Sequence, residues 1–522
     1  MRVLPVVFVA GLLLAGCLST GDPDNASAPQ DAIDAGWAAR ALPTKGTDDH
    51  HDHSDAAMHK GLSTPNFQVI GWDPLVSEYH RRPSGAYSCG SVIDTEERTI
   101  GVYNSFGTDV ALIVVDLKDP VHPTKLGELV LPLTHVYDVS VTDDGMFALL
   151  ATDPLDKGPD LPPTFGASAP ATYATRPMFR DACGVEHSGP ETMLPYDSGL
   201  VLVDLRDPTM PTVADYAPQP VLGAHSVSAA TIDGITYVAA STTNLVHGAS
   251  YYVFYTVDLL AGLGTLQPYG AMTAQYPGVP DGMPEVDAQI NGHVDATLAK
   301  HPLTGQVLAY LANWNGGVTI AELAGRGNVR AIGLWNDFDP AKGAEMTGQV
   351  HSVNPMPELR NGRHITAIGQ EIGGHPANRP TGQAILLDTT DPTHPKAVAR
   401  WTLPVDAQWD EGAIFSTHYL DLVGDTLFVS MYHAGIWAAD ANESQWPNLP
   451  SLGVFLPDHD SDAPFTAGVY PWRPMTVEIG HLDDGTLVTV DHATGVYTLR
   501  FTLDDPRVPP VGPWTADGWT PS

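Results

Sequence analysis

The chain repeats itself, and that repeat constrains its fold more than any other feature. Leu112-Ile113-Val114-Val115-Asp116-Leu117-Lys118-Asp119-Pro120 is matched by Leu200-Val201-Leu202-Val203-Asp204-Leu205-Arg206-Asp207-Pro208 and by Ile385-Leu386-Leu387-Asp388-Thr389-Thr390-Asp391-Pro392. Each is a run of leucine and β-branched residues, as in a buried strand, closed by Asp and then Asp-Pro, as in a turn. Weaker copies occupy residues 255–259, 318–323, 436–440 and 496–501, which makes seven. A further short strand follows each strong copy, at 125–131, 213–218 and 397–403. A hairpin precedes the copies, its turn often marked by Asp-Gly or Gly-Asp, as at Asp144-Gly145, Asp233-Gly234, Gly424-Asp425 and Asp484-Gly485.

A unit of four short antiparallel strands cannot bury its apolar face alone, so it stacks on copies of itself. Seven such units define a propeller plan. The expected fold is therefore all-β, a seven-bladed β-propeller of four-stranded antiparallel blades over residues 62–522, with an insertion at about 154–197 that departs from the blade plan. Closing the ring takes an outer strand from one end of the chain, either residues 67–72 or residues 507–514, because an open ring exposes strand edges.

The pattern Val-Val-Asp-Leu-x-Asp-Pro, seen at Val114 to Pro120 and in its copies at 200–208 and 385–392, resembles the LVIVD-repeat β-propeller family. The resemblance covers most of the chain beyond residue 85. It implies the fold and export from the cytoplasm, and says little about chemistry.

Arg2 followed by the apolar run Val3 to Leu14 has the form of a secretory signal, which places residues 1–16 in a signal peptide. Its exit, Leu14-Ala15-Gly16-Cys17, resembles the lipobox of prokaryotic lipoproteins. That resemblance implies a lipid on Cys17, membrane attachment through it, and a cell-surface or periplasmic location. Residues 17–61 are small, polar and acidic, as in a flexible tether. They include Asp48-Asp49-His50-His51-Asp52-His53 and His59, which either capture Zn or Cu ions or simply solvate the linker. In an oxidising compartment the two other cysteines, Cys89 and Cys183, are expected to form a disulfide.

Acidic residues outnumber basic ones 61 to 25, for a formal net charge of -36. Such a chain lacks the cationic face that phosphate neutralisation needs, so nucleic acid is excluded as a partner. It is expected to be a soluble monomer once freed of its anchor.

Chemistry is concentrated in histidine. His135, His225, His293, His351 and His418 share one phase of the repeat, each at the start of a unit's first strand. In a propeller the first strand is innermost, so these side chains are expected to converge near the axis at one rim. Antiparallel pairing returns the end of the second strand to that rim, bringing Asp153, Thr242, Asn313, Glu371, His433 and His492, with His375 nearby. Imidazoles with a carboxylate beside them suit a transition metal such as Cu or Zn. The same ring would also serve as blade architecture, or as a site for a small molecule, an anion or a protein at the axial face.

No Gly-x-Ser-x-Gly, His-Glu-x-x-His or Walker-type loop is present. The residues therefore favour a binding or scaffold module over an enzyme. The competing reading is a copper-dependent oxidase, because the chain is similar in outline to the selenium-binding protein and methanethiol oxidase group. That resemblance would place copper ligands among the five histidines and make Glu371 a proton acceptor.

Overall fold

The computed structural model describes residues 63–521 apart from 78–86, 106–109, 132–135, 153–178, 181–185, 188–198, 219–223, 245–248, 274–294, 337–349, 372–381, 404–415, 458–474, 504–510 and a few isolated positions. Every sequence repeat becomes the third strand of a four-stranded antiparallel sheet. The first blade is Tyr87–Asp94, Thr99–Ser105, Val110–Asp116 and Thr124–Val130; the second is Val136–Val141, Phe147–Thr152, Gly199–Asp204 and Thr212–Pro218. Blades 3 to 6 follow in order, starting at Ser226, Asp295, Val350 and Leu420. The seventh is Thr476–His481, Leu487–Asp491 and Gly495–Phe501.

The two candidate closing segments are resolved in favour of the N-terminal one. Phe67–Asp73 pairs antiparallel with Gly495–Phe501 as the outer strand of blade 7. Just before it, Thr64 and Asn66 bond the outer strand of blade 6: Thr64 N donates to Val454 O at 2.8 Å and Asn66 Nδ2 to Leu452 O at 3.0 Å. Val511–Thr515 pairs instead with Gly518–Pro521. The ring is thus clasped by one short stretch that touches two blades.

The third strands are apolar throughout because both of their faces are covered by neighbouring blades. Leu112, Val114, Leu200, Val201, Leu386 and Leu387 are all fully buried. The Asp that ends each strong copy accepts a backbone N–H two residues on, as Asp116 Oδ1 does from Lys118 N, and so closes the turn. The following Asp-Pro lands on the outer strand of the preceding blade. There Gly71, Gly127 and Gly333 stand against the carbonyls of Pro120, Pro208 and Pro392, where a Cβ would lie 2.2, 2.5 and 1.8 Å from the oxygen.

Near the axis, carboxylates tie blade to blade. Asp138 Oδ2 accepts Val227 N of blade 3 at 2.8 Å, and Glu478 Oε2 accepts Gly90 N of blade 1 at 3.2 Å. Asp295 is bonded in the same way by Val353 N of blade 5. Each also accepts the N–H of its own next residue. Two buried donors are satisfied by each acid, on either side of a blade junction.

A candidate metal centre at the axial rim

Four of the seven innermost strands begin with irregular pairing, and one such irregularity aims the site. In blade 5 the register shifts between Val350 and Ser352, so His351 is the extra residue of a bulge. His418 precedes the short first strand of blade 6, held by His418 N donating to Ser430 O at 2.9 Å. The two imidazoles meet across the blade junction with ring centroids 4.2 Å apart. Glu371, just past the second strand of blade 5, brings its Oε2 to 3.7 Å from His351 Nε2. One ligand atom from each of His351, Glu371 and His418 lies within 4.8 Å of the others.

Hydrogen bonding decides which atoms face inward. His418 Nδ1 sits 2.8 Å from the carbonyl of Val477, to which it donates, so its Nε2 keeps the lone pair. An outer carbonyl fixing the tautomer in this way is the usual support of a metal-bound histidine. His351 Nδ1 is buried with no hydrogen-bond partner among the described residues, and its Nε2 faces Glu371. On the far side of Glu371, the Tyr432 hydroxyl donates to Oε1 at 2.5 Å.

The electrostatics suit ligation. Burial, reinforced by mutual repulsion among His225, His351 and His418, depresses both His351 and His418 to a pKa of about 3. Burial also raises Glu371, against the pull of His418 and the Tyr432 hydrogen bond. The His351 and Glu371 contact is therefore not an ion pair at neutral pH, because the imidazole is neutral. Neutral imidazoles are the form that binds metal, so the site needs no proton loss from nitrogen.

Aromatic side chains pack behind the cluster. Trp314 stands 6.3 Å from His351, Tyr432 5.2 Å from His418, and Tyr419 is edge-on to both imidazoles at 5.6 and 4.8 Å. Trp314 and Tyr432 both have left-handed backbones, with φ of 50° and 43°. Such strain costs about 1–3 kcal/mol for a bulky residue and persists where neighbours enforce it. Here each is pinned by a backbone bridge to the next blade, Trp314 to Val350 and Tyr432 to Thr476.

Tyr419 also joins this tier to the acids below. Its hydroxyl bonds Asp138, which the Cys89 thiol also bonds. Burial dominates there, raising Asp138 to about 7 and Asp295 to about 8 despite their backbone donors.

Of the eight histidines and one glutamate expected at the rim, the structure brings together His351, His418 and Glu371. His225 is half-buried beside Tyr137 and within electrostatic reach of both histidines, yet it lies outside the cluster. His492, half-buried just past the second strand of blade 7, is not part of the cluster. His135, His293, His375, His433, Cys17 and Cys183 lie outside the described residues, as do the signal peptide, the tether and the insertion apart from Phe179–Arg180 and Glu186–His187, which pair antiparallel. Cys89 is buried on the innermost strand of blade 1, where its thiol meets Asp138. At or near the ends of the second strands the buried polar residues are Thr152, Ser241, Asn313, Gln370, Ser430 and Asp491, and Glu371 follows Gln370 at the rim as expected. Asp153 and His433, also expected there, lie outside the described residues.

Fold and site together define a seven-bladed β-propeller with a histidine and carboxylate cluster at one axial rim. No family model matches the chain, and no curated protein matches it. Among solved structures it is similar to Sqt1 of Saccharomyces cerevisiae at 10% identity and a TM-score of 0.44, over 83% of this chain and 98% of that one.

Proposed function

We propose that this chain is a binding module whose axial rim holds a divalent transition metal through His351, His418 and Glu371. The observation that carries the reading is the donor set itself: two neutral imidazoles and a carboxylate within 4.8 Å, with His418 held in the tautomer that leaves Nε2 free to ligate. Two imidazoles and a carboxylate suit Zn or Cu among the first-row ions. The signal-like N-terminus and Cys17 support export and a lipid anchor, which would present this rim at the cell surface or in the periplasm. Metal analysis of untagged protein lacking residues 45–60 tests the site without the tether histidines. Stoichiometric metal, lost in His351→Ala/His418→Ala, is the expected result. Substoichiometric metal in the parent protein refutes it.

A second reading, a metal-dependent oxidase, draws on Glu371, whose carboxyl is made more basic by burial than a free one and so is a better proton acceptor beside the histidines. Metal-dependent turnover of small thiols would favour it, and its absence would leave a carrier.

A further inference from the structure

Glu371 is engaged unequally at its two oxygens. Oε1 takes the Tyr432 hydroxyl at 2.5 Å, while Oε2 faces His351 Nε2 at 3.7 Å. The hydrogen bond aims Oε1 at Tyr432 and Oε2 at the cluster, and turning both oxygens onto one ion would strain or break it. Tyr432 cannot readily move aside. Its carbonyl accepts Thr476 N of blade 7 at 3.1 Å, and its ring packs 5.2 Å from His418.

Blade 4 carries an internal comparison. Trp314 occupies the corresponding turn, with the same left-handed backbone and the same bridge to the next blade, but it has no hydroxyl. The conformation therefore belongs to the blade plan, and the phenol is an addition of blade 6. We infer that Tyr432 holds Glu371 to a single donor oxygen and thereby sets the metal preference of the cluster, favouring borderline, nitrogen-seeking first-row ions over hard ions that need many oxygens. The inference rests on the metal reading above and names what governs selection at that same site. The physical basis is coordination number. Two nitrogens and one oxygen approach the four-coordinate arrangement of zinc, whereas manganese and calcium want octahedral or larger oxygen-rich shells. Freeing the second oxygen adds a hard donor and relaxes that discrimination.

The experiment uses the full chain with His50, His51, His53 and His59 changed to Ala, so that the tether takes up no ion. Zn2+ and Mn2+ compete in equilibrium dialysis against this protein and against its Tyr432→Phe and Tyr432→Trp derivatives. The tryptophan repeats the residue that the same turn already accommodates in blade 4. The expected result is a preference for Zn2+ over Mn2+ reduced by about 10-fold or more in both derivatives, as for loss of a group that orients a ligand. Co2+ bound in place of Zn2+ should show weaker visible bands as its coordination number rises. A structural role alone would lower the unfolding temperature and leave preference and spectrum unchanged. If the parent binds stoichiometric Zn2+ and the derivatives keep its preference and Co2+ spectrum, the inference fails and the metal reading stands. If the parent itself takes up no Zn2+, both fail.

Discussion

Asp138 of blade 2 receives the backbone N–H of Val227 in blade 3 at 2.8 Å, and with it the N–H of Val139 at 2.8 Å. One buried side chain thus completes the hydrogen bonding of two innermost strands that share no ladder. Asp138→Ala would orphan both donors, and each buried orphan costs about 1–3 kcal/mol. Urea unfolding should show a loss of roughly 2–6 kcal/mol by that reckoning, with Asp138→Asn milder because its single amide oxygen still accepts one of the two donors. An alanine variant as stable as the wild type would remove the acid from the closure of the ring.

The same acids give the fold a pH dependence. Asp138 and Asp295 are raised by burial to about 7 and about 8 from 3.8. The folded state then holds protons that the unfolded chain has released, so their contribution is complete below pH 3.8 and is lost as pH rises through 7 and 8. The depressed imidazoles contribute an opposing slope as pH rises from about 6.5, but equally in wild type and in Asp295→Asn, so the difference between the two proteins isolates the carboxylate. Wild type should lose roughly 1–2 kcal/mol more than Asp295→Asn between about pH 6.5 and 8. Equal slopes for the two proteins in chemical denaturation would contradict the assignment.

Closure of the ring is open to a lighter test. Thr64 Oγ1 accepts Val454 N at 2.9 Å and donates to Asn66 Oδ1 at 2.7 Å, both buried against the outer strand of blade 6. Thr64→Val keeps the shape and removes the hydroxyl, at a cost of about 1–3 kcal/mol for the donor left behind. Because the strand ties the two ends of the ring together, hydrogen exchange should rise first in Phe67–Asp73 and Ser451–Phe455. Uniform exchange across the blades would show that the clasp is not the weak point.

The fold was legible because a buried third strand demands a run of apolar residues and its turn demands Asp-Pro, and both recur in the sequence. The site was half legible. His351 and His418 share a repeat phase, and Glu371 follows from pairing the second strand back to the same rim. Tyr432 was not readable, since nothing local tells a blade-packing tyrosine from one that reaches a carboxylate of the preceding blade. The inter-blade acids did leave a trace, Asp138 three residues after His135 and Asp295 two after His293. That trace was hidden because bulges shift the offset from blade to blade.

The Asp-Pro repeat was legible as a turn but not as a contact, and that contact carries the sharpest expectation. The carbonyls of Pro120, Pro208 and Pro392 each press on a glycine in the outer strand of the preceding blade, and the approach is tightest at Gly333. A methyl group there would lie 1.8 Å from a backbone oxygen, so blade 5 would have to move away from blade 4 as a whole. Overpacking of this kind costs typically about 1–3 kcal/mol where neighbours can shift, and more where they are backbone. Gly333→Ala should therefore destabilise the propeller by at least that much in thermal or urea unfolding. Gly362→Ala, at an open turn with nothing within 4 Å, serves as the control, with only the strain of its positive φ to bear. If Gly333→Ala proves no worse than this control, glycine in the outer strand is not what lets the Asp-Pro turn dock, and the repeat needs another physical explanation.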